Sequence, residues 1–108
     1  MNYNLEEIKD KIIQRLKPLN PYKIILFGSY AYGVPNIDSD LDICVIKKGK
    51  IYKKEQKSKI REALKDIKIA KDILVEDYDY FISHSDDNWI NTALYDIRHK
   101  GIVLYEKE

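Results

Sequence analysis

Cysteine occurs once, at Cys44. No internal disulfide can form, and no cysteine-built zinc site, which fits a reducing cytoplasm. Cys44 lies in the middle of an apolar run and reads as a small buried side chain rather than a nucleophile. Histidine occurs twice, as His84 and His99, both in polar surroundings that mark them as surface positions. Long hydrophobic runs are missing; the longest span a few residues, against the roughly 20 that cross a bilayer. The first ten residues are polar and acidic, without the basic start and apolar stretch of a secretion signal. A large excess of either charge is also missing. Lys and Arg number 19 against 18 Asp and Glu, for a formal net charge of +1. No global field points to nucleic acid or to a membrane surface. The expectation is a cytoplasmic protein with no membrane association.

What is present is a globular composition. Hydrophobic residues make up 44% and charged residues 34% of 108 residues. That is enough chain for one domain, over residues 1–108, and too little for a second one. Asn4 reads as a helix cap, with Glu7 as its capping-box partner and Leu5, Ile8, Ile12 and Leu16 at helical spacing. Pro18 and Pro21 end that helix. Tyr22 to Phe27 is a buried strand, and a short helix is expected to start at Ser29. Leu41 to Ile46 is a second strand, followed by a basic turn around Gly49. Ile60, Ala63, Leu64 and Ile67 mark a helix that begins near Tyr52. Asp72 to Val75 is a third strand, and Asp77 to Ile82 a candidate short helix. Ser85 is expected to cap a helix with Asp86 and Asp87 in its first turn, Ile90, Leu94 and Ile97 as its stripe, and Gly101 as its stop. Ile102 to Tyr105 closes the chain as a strand. The order αβ(α)βαβαβ describes an α/β or α+β fold, a small mixed sheet flanked by helices.

The chemistry concentrates between Gly28 and Asp42. Asp40 and Asp42 are two residues apart at the start of a strand, so a period of two turns both carboxylates to one face. Such a pair repels itself unless a cation sits there, and Mg²⁺ takes carboxylate and phosphate oxygens as ligands. Gly28 follows a buried strand and permits a sharp turn with close approach of a phosphate. A helix starting at Ser29 would add free N–H donors and a hydroxyl. Asp-x-Asp alone is common in surface turns. Asp38-x-Asp40-x-Asp42 is not a calcium loop, because its sixth and twelfth positions are Ile43 and Gly49 rather than glycine and glutamate. Gly28 and Gly33 are spaced as in a phosphate-binding P-loop, but Val34-Pro35 follow instead of Lys-Ser/Thr. Asp66, Glu76, Asp77 and Asp79 read as solvated acids, and Lys47, Lys48, Lys50, Lys53 and Lys54 as a solvated basic loop.

The combined pattern is Gly28-Ser29, ten residues, then Asp40-x-Asp42, set between two strands. It resembles the signature of the DNA polymerase beta-like nucleotidyltransferase superfamily, and the short chain resembles its minimal nucleotidyltransferase (MNT) group. Lys71 to Val75 looks like the strand bearing that family's third carboxylate, and Gly101 to Tyr105 like its closing segment. The resemblance implies the polymerase beta-like palm fold. It implies Asp40, Asp42 and Asp72 as catalytic metal ligands for two Mg²⁺, and Gly28 and Ser29 as contacts for the triphosphate of ATP. Many relatives carry arginine where Tyr32 stands. MNT proteins similar to this one are often antitoxins that transfer AMP from ATP to a tyrosine of a HEPN-type RNase toxin. The toxin's Arg-x(4–6)-His pattern is missing here, since Arg98 and His99 are adjacent and no histidine lies in range of Arg15 or Arg61. Two alternatives stand beside that reading: a binding module that neutralises a toxin by contact, and a transferase acting on a small molecule. Template nucleic acid is not expected as a partner, and self-association is left open.

Overall fold

The computed structural model describes residues 4–36 and 38–108. Helix α1 spans Leu5–Leu16, and its cap is Asn4, whose side chain accepts from the Glu6 N–H at 2.8 Å. Ile8, Ile12 and Leu16 form its buried stripe. Pro18 sits in a 3-10 turn over Lys17–Leu19, and Asn20 in the left-handed region (φ 59°) turns the chain into strand β1, Lys23–Phe27. Next come the one-turn helix α2 (Ser29–Tyr32), strand β2 (Leu41–Lys47), helix α3 (Lys53–Ala63) and strand β3 (Lys71–Asp77). Helices α4 (Tyr78–Ser83) and α5 (Ala93–Lys100) and strand β4 (Ile102–Glu106) complete the described chain.

The strands form one mixed sheet in the order β3-β2-β1-β4. β1 is antiparallel to both of its neighbours, whereas β2 and β3 are parallel. A parallel pair needs a crossover, and α3 supplies it. Both faces of the sheet are covered. On one face, Ile24, Leu26, Leu41, Ile43, Val45, Ile73 and Val75 pack with Ile8, Ile12 and Leu16 of α1, Ile60 of α3, and Leu64 and Ile67 just after it. On the other face, Ile25, Cys44 and Ile46 pack with Phe81 of α4 and Ile97 of α5. Burial on both sides explains why β1 and β2 read as nearly continuous apolar runs rather than alternating ones.

One expected element is different. The helix expected from Ser85 begins at Ala93, capped by Thr92, whose hydroxyl accepts from the Tyr95 N–H at 3.3 Å. Ser85 is buried and donates its hydroxyl to the Phe81 carbonyl. Asp86 caps only a 3-10 turn, Asp87–Trp89. Asn91 then takes a left-handed conformation (φ 73°), and Ile90 is 55% exposed instead of joining the stripe. Gly101 does stop α5, though not by a left-handed turn. Its φ is −68°, and a side chain there would meet the Ile97 carbonyl and Ile25 at 2.5 Å. The glycine lets β4 leave the helix hard against β1. Among the described residues no helix is long and apolar enough to cross a membrane.

Candidate active site

The start of β2 is tied to the residue before β3 by a hydrogen bond from the Leu41 N–H to the Ala70 carbonyl at 2.8 Å. The two parallel strands therefore begin level. Asp42 is the second residue of β2, Asp72 the second of β3, and the two are register partners. Directly paired residues share a sheet face. Theirs is the face of Cys44 and Ile46, which α4 and α5 cover further along. Asp40 lies two residues ahead of Asp42, just outside the strand, and is exposed. The sheet thus brings together the three aspartates picked out from the sequence.

Their charges are felt. Asp42 has its pKa raised from the ordinary aspartate value, first by partial burial, then by repulsion from Asp72, then from Asp40. Among the described residues no three His, Cys, Asp or Glu side chains close tightly enough around one point to hold a metal ion as they stand. The donor chemistry still fits a hard divalent cation: oxygen ligands only, with mutual repulsion that such an ion would relieve. Asp40 and Asp72 are exposed, so each has other rotamers open to it.

Gly28 closes the other side of Asp42. It has φ 73°, and a Cβ built on it would stand 1.9 Å from Asp42 Oδ2. The glycine was expected to make room for phosphate; the group lodged nearest to it is the Asp42 carboxylate. Ser29 begins α2, which is a single turn. The N–H groups of Ala31 and Tyr32 already donate to the Gly28 carbonyl at 3.0 and 3.1 Å. Donors for an anion are then limited to those of Ser29 and Tyr30 and the serine hydroxyl. The short helix expected at Ser29 is present, and its single turn carries only a small dipole. Tyr32 ends the turn with its side chain 51% exposed.

A model of the nucleotidyltransferase domain family matches residues 5–99. The chain belongs to the nucleotidyltransferase domain family. Comparison with curated proteins gives no match. Solved structures share the fold. A toxin–antitoxin structure with AMP-PNP is 22% identical with a TM-score of 0.66, over 93% of this chain and 74% of that one. An MntA–HpeT toxin–antitoxin mutant is 18% identical with a TM-score of 0.65, over the same shares of the two chains. A protein from Sulfolobus solfataricus, assigned as a nucleotidyltransferase, is 17% identical with a TM-score of 0.61, over 95% and 80%.

Elsewhere in this nucleotidyltransferase domain the remaining charges are less solvated than their sequence context implies. Glu76 is 6% exposed and takes Lys53 Nζ on both carboxylate oxygens, at 3.2 and 3.1 Å. The signal was present in the strand period, which puts Glu76 on the same face as Asp72 and Leu74. Asp66 binds Arg15 Nη2 at 2.6 Å, and Asp77 caps α4 by accepting from the Tyr80 N–H. Only Asp79 is simply exposed, as expected. The basic loop is also engaged. Lys47 donates to the Leu19 carbonyl at 2.8 Å and to Gln56 at 3.1 Å, and its burial lowers its pKa. Lys48 lies over the rings of Tyr22 and Tyr78, and Lys50 over Tyr52. Cys44 is buried with its thiol pushed up to about 12, mainly by burial, so it is no nucleophile. His99 is exposed and ties α5 back to the Ser85 carbonyl at 3.1 Å.

Proposed function

We propose that this chain is a metal-dependent adenylyltransferase, one domain over residues 1–108, that moves AMP from ATP onto a tyrosine of a partner protein. The partner in this reading is a HEPN-type RNase toxin of the cytoplasm, and the chain is its MNT-type antitoxin. The observation that carries it is the level pairing of Asp42 with Asp72 at the end of the sheet, with Asp40 beside them. Two of the similar folds come from toxin–antitoxin structures, one of them with AMP-PNP, an ATP analogue. In the other, two aspartates two positions apart are replaced by glutamate, the spacing that Asp40 and Asp42 have here.

In this reading Asp40, Asp42 and Asp72 hold two Mg²⁺. Such ions supply charge neutralisation for the triphosphate and for the leaving group. Gly28 and Ser29 contact the triphosphate, with Gly28 also seating Asp42. Asp72, the more exposed of the paired carboxylates, accepts the proton of the incoming phenol. A tyrosine hydroxyl has a pKa of about 10, within reach of activation at neutral pH. Its oxygen bonds to the α-phosphorus, the bond from that phosphorus to the bridging oxygen breaks, and pyrophosphate leaves.

Mass spectrometry of the partner after incubation with this chain, ATP and Mg²⁺ tests the reading. A tyrosine-borne AMP adduct that disappears with Asp72→Ala is the expected result. A second reading, neutralisation by contact alone, draws on the carboxylates not closing around a single point. It takes over if the partner is bound and silenced with no adduct.

A further inference from the structure

The four strands carry three lysines, and each is committed away from the aspartates. Lys23 pairs with Glu106 at 3.7 Å, and Lys47 donates to the Leu19 carbonyl and to Gln56, both at the far end of the sheet. Lys71 stands next to Asp72, but its ammonium is held by the Ile67 and Ile69 carbonyls. A triphosphate at Gly28 and Ser29 therefore has no free lysine of the sheet to meet. Tyr32 is placed differently. It closes the one-turn helix α2, whose Tyr30 and Ala31 pack against the core. Ser29 and Tyr32 are three residues apart and so share the other, outward side. A helical side chain leans towards the N-terminal turn, which brings Tyr32 back over Ser29. Gly33 fixes the turn: its N–H donates to the Ser29 carbonyl at 3.1 Å, and a Cβ there would stand 3.0 Å from Ser29 Cα. Lys50 lies over the exposed ring of Tyr52, and His84 stacks on that of Tyr80. Tyr32 has a partner for neither ring nor hydroxyl among the described residues, with half its side chain in solvent.

We propose that the Tyr32 hydroxyl donates a hydrogen bond to the phosphate tail of the nucleotide, on the β- and γ-phosphates that leave as pyrophosphate. Its position selects the tail. Gly28 meets the Asp42 carboxylate, and Tyr32 lies four residues further on, about 6 Å along a helix. The α-phosphorus belongs at the carboxylates, where the acceptor oxygen attacks, so a donor one turn away falls on the phosphates beyond it. Its chemistry fits as well. Phosphate oxygens are anionic acceptors, and a hydroxyl that donates to an ionised acceptor makes one of the stronger hydrogen bonds. The phenol brings no positive charge, so the three carboxylates still need metal to offset the triphosphate. The contact presupposes the triphosphate binding proposed for Gly28 and Ser29, and adds a side-chain donor to it.

Calorimetry of ATP and of inorganic triphosphate, each with Mg²⁺, tests the contact on the parent chain and on Tyr32→Phe and Tyr32→Ala. Both variants are expected to raise the Kd of both ligands about tenfold, the weight of one hydrogen bond to an ionised group. Their melting temperatures should stay within about 3 °C of the parent, because the side chain is half exposed and unbonded. Tyr32→Phe binding like the parent, a loss confined to Tyr32→Ala, or a loss with ATP but not with triphosphate would each overturn the proposal. ATP titrated into the parent in chelator separates this contact from the metal site. Parent affinity that depends on Mg²⁺, matched by Tyr32→Phe, removes Tyr32 alone. Affinity indifferent to Mg²⁺, with Tyr32→Phe still weaker, removes the metal and leaves the tail contact standing. No binding of either ligand to the parent removes both.

Discussion

Asp42 stands in a strand whose neighbours Leu41, Ile43, Cys44, Val45 and Ile46 are all buried. A carboxylate there costs stability when ionised, because its pKa is raised by burial, Asp72 and Asp40 in that order. The folded state binds the Asp42 proton more tightly than the unfolded chain does. Ionised Asp42 therefore destabilises the fold at neutral pH, and the cost disappears as pH falls through the raised pKa towards the ordinary carboxylate value. Asp42→Asn, measured in chelator, should melt no lower than the parent at pH 7 and somewhat higher if repulsion dominates. Any gain should vanish at acid pH while transfer is lost throughout; a large fall in melting temperature would make Asp42 structural instead. Gly28→Ala acts on the same contact from the other side. Its Cβ collides with Asp42 Oδ2, and its φ of 73° disfavours any side chain. Urea denaturation should show a loss of about 1–3 kcal/mol. That Asp40 and Asp42 turn to one face was legible from strand periodicity. That Gly28 serves the carboxylate was not, because it depends on how closely β1 lies against β2.

At the scale of elements, the sequence places all four strands to within a few residues and misplaces one helix start. Ser85-Asp86-Asp87 carries stronger capping chemistry than Thr92, yet Thr92 begins α5. Ser85 is drawn inside, where its hydroxyl serves the Phe81 carbonyl, and the left-handed Asn91 breaks any helix running through Ile90. Local propensity loses here to packing of α4 and α5 on the sheet. Thr92→Ala should cost about 1 kcal/mol, seen as a drop of roughly 4 °C in melting temperature. The Thr92 hydroxyl also donates to the Trp89 carbonyl at 2.6 Å, so the same change loosens the preceding turn. Asp86→Ala should cost less than about 0.5 kcal/mol, because its cap serves only a three-residue turn. Equal losses from the two changes would show that α5 does not depend on its Thr92 cap.

For the molecule as a whole, three carboxylates at one sheet end and few anion donors around Ser29 mean that triphosphate alone is poorly received. ATP binding is therefore expected to depend on divalent metal. Calorimetry in Mg²⁺ and in chelator should differ at least about tenfold in Kd. Equal affinities would remove the metal from the proposed site.

The sequence alone determined the α/β class, the strands and the grouping of Asp40 and Asp42, because periodicity and residue spacing along a strand are local properties. Asp72 entered by resemblance, and only the tertiary structure set it level with Asp42. That level depends on the parallel register of β2 and β3, which are joined through α3 and locked by the Leu41–Ala70 hydrogen bond. Tertiary structure also buried Glu76 and Ser85, moved the start of α5 and set Gly28 against Asp42. Each of these depends on which groups from distant parts of the chain meet, and a hydrogen bond or steric contact between remote residues leaves no periodic trace in the sequence.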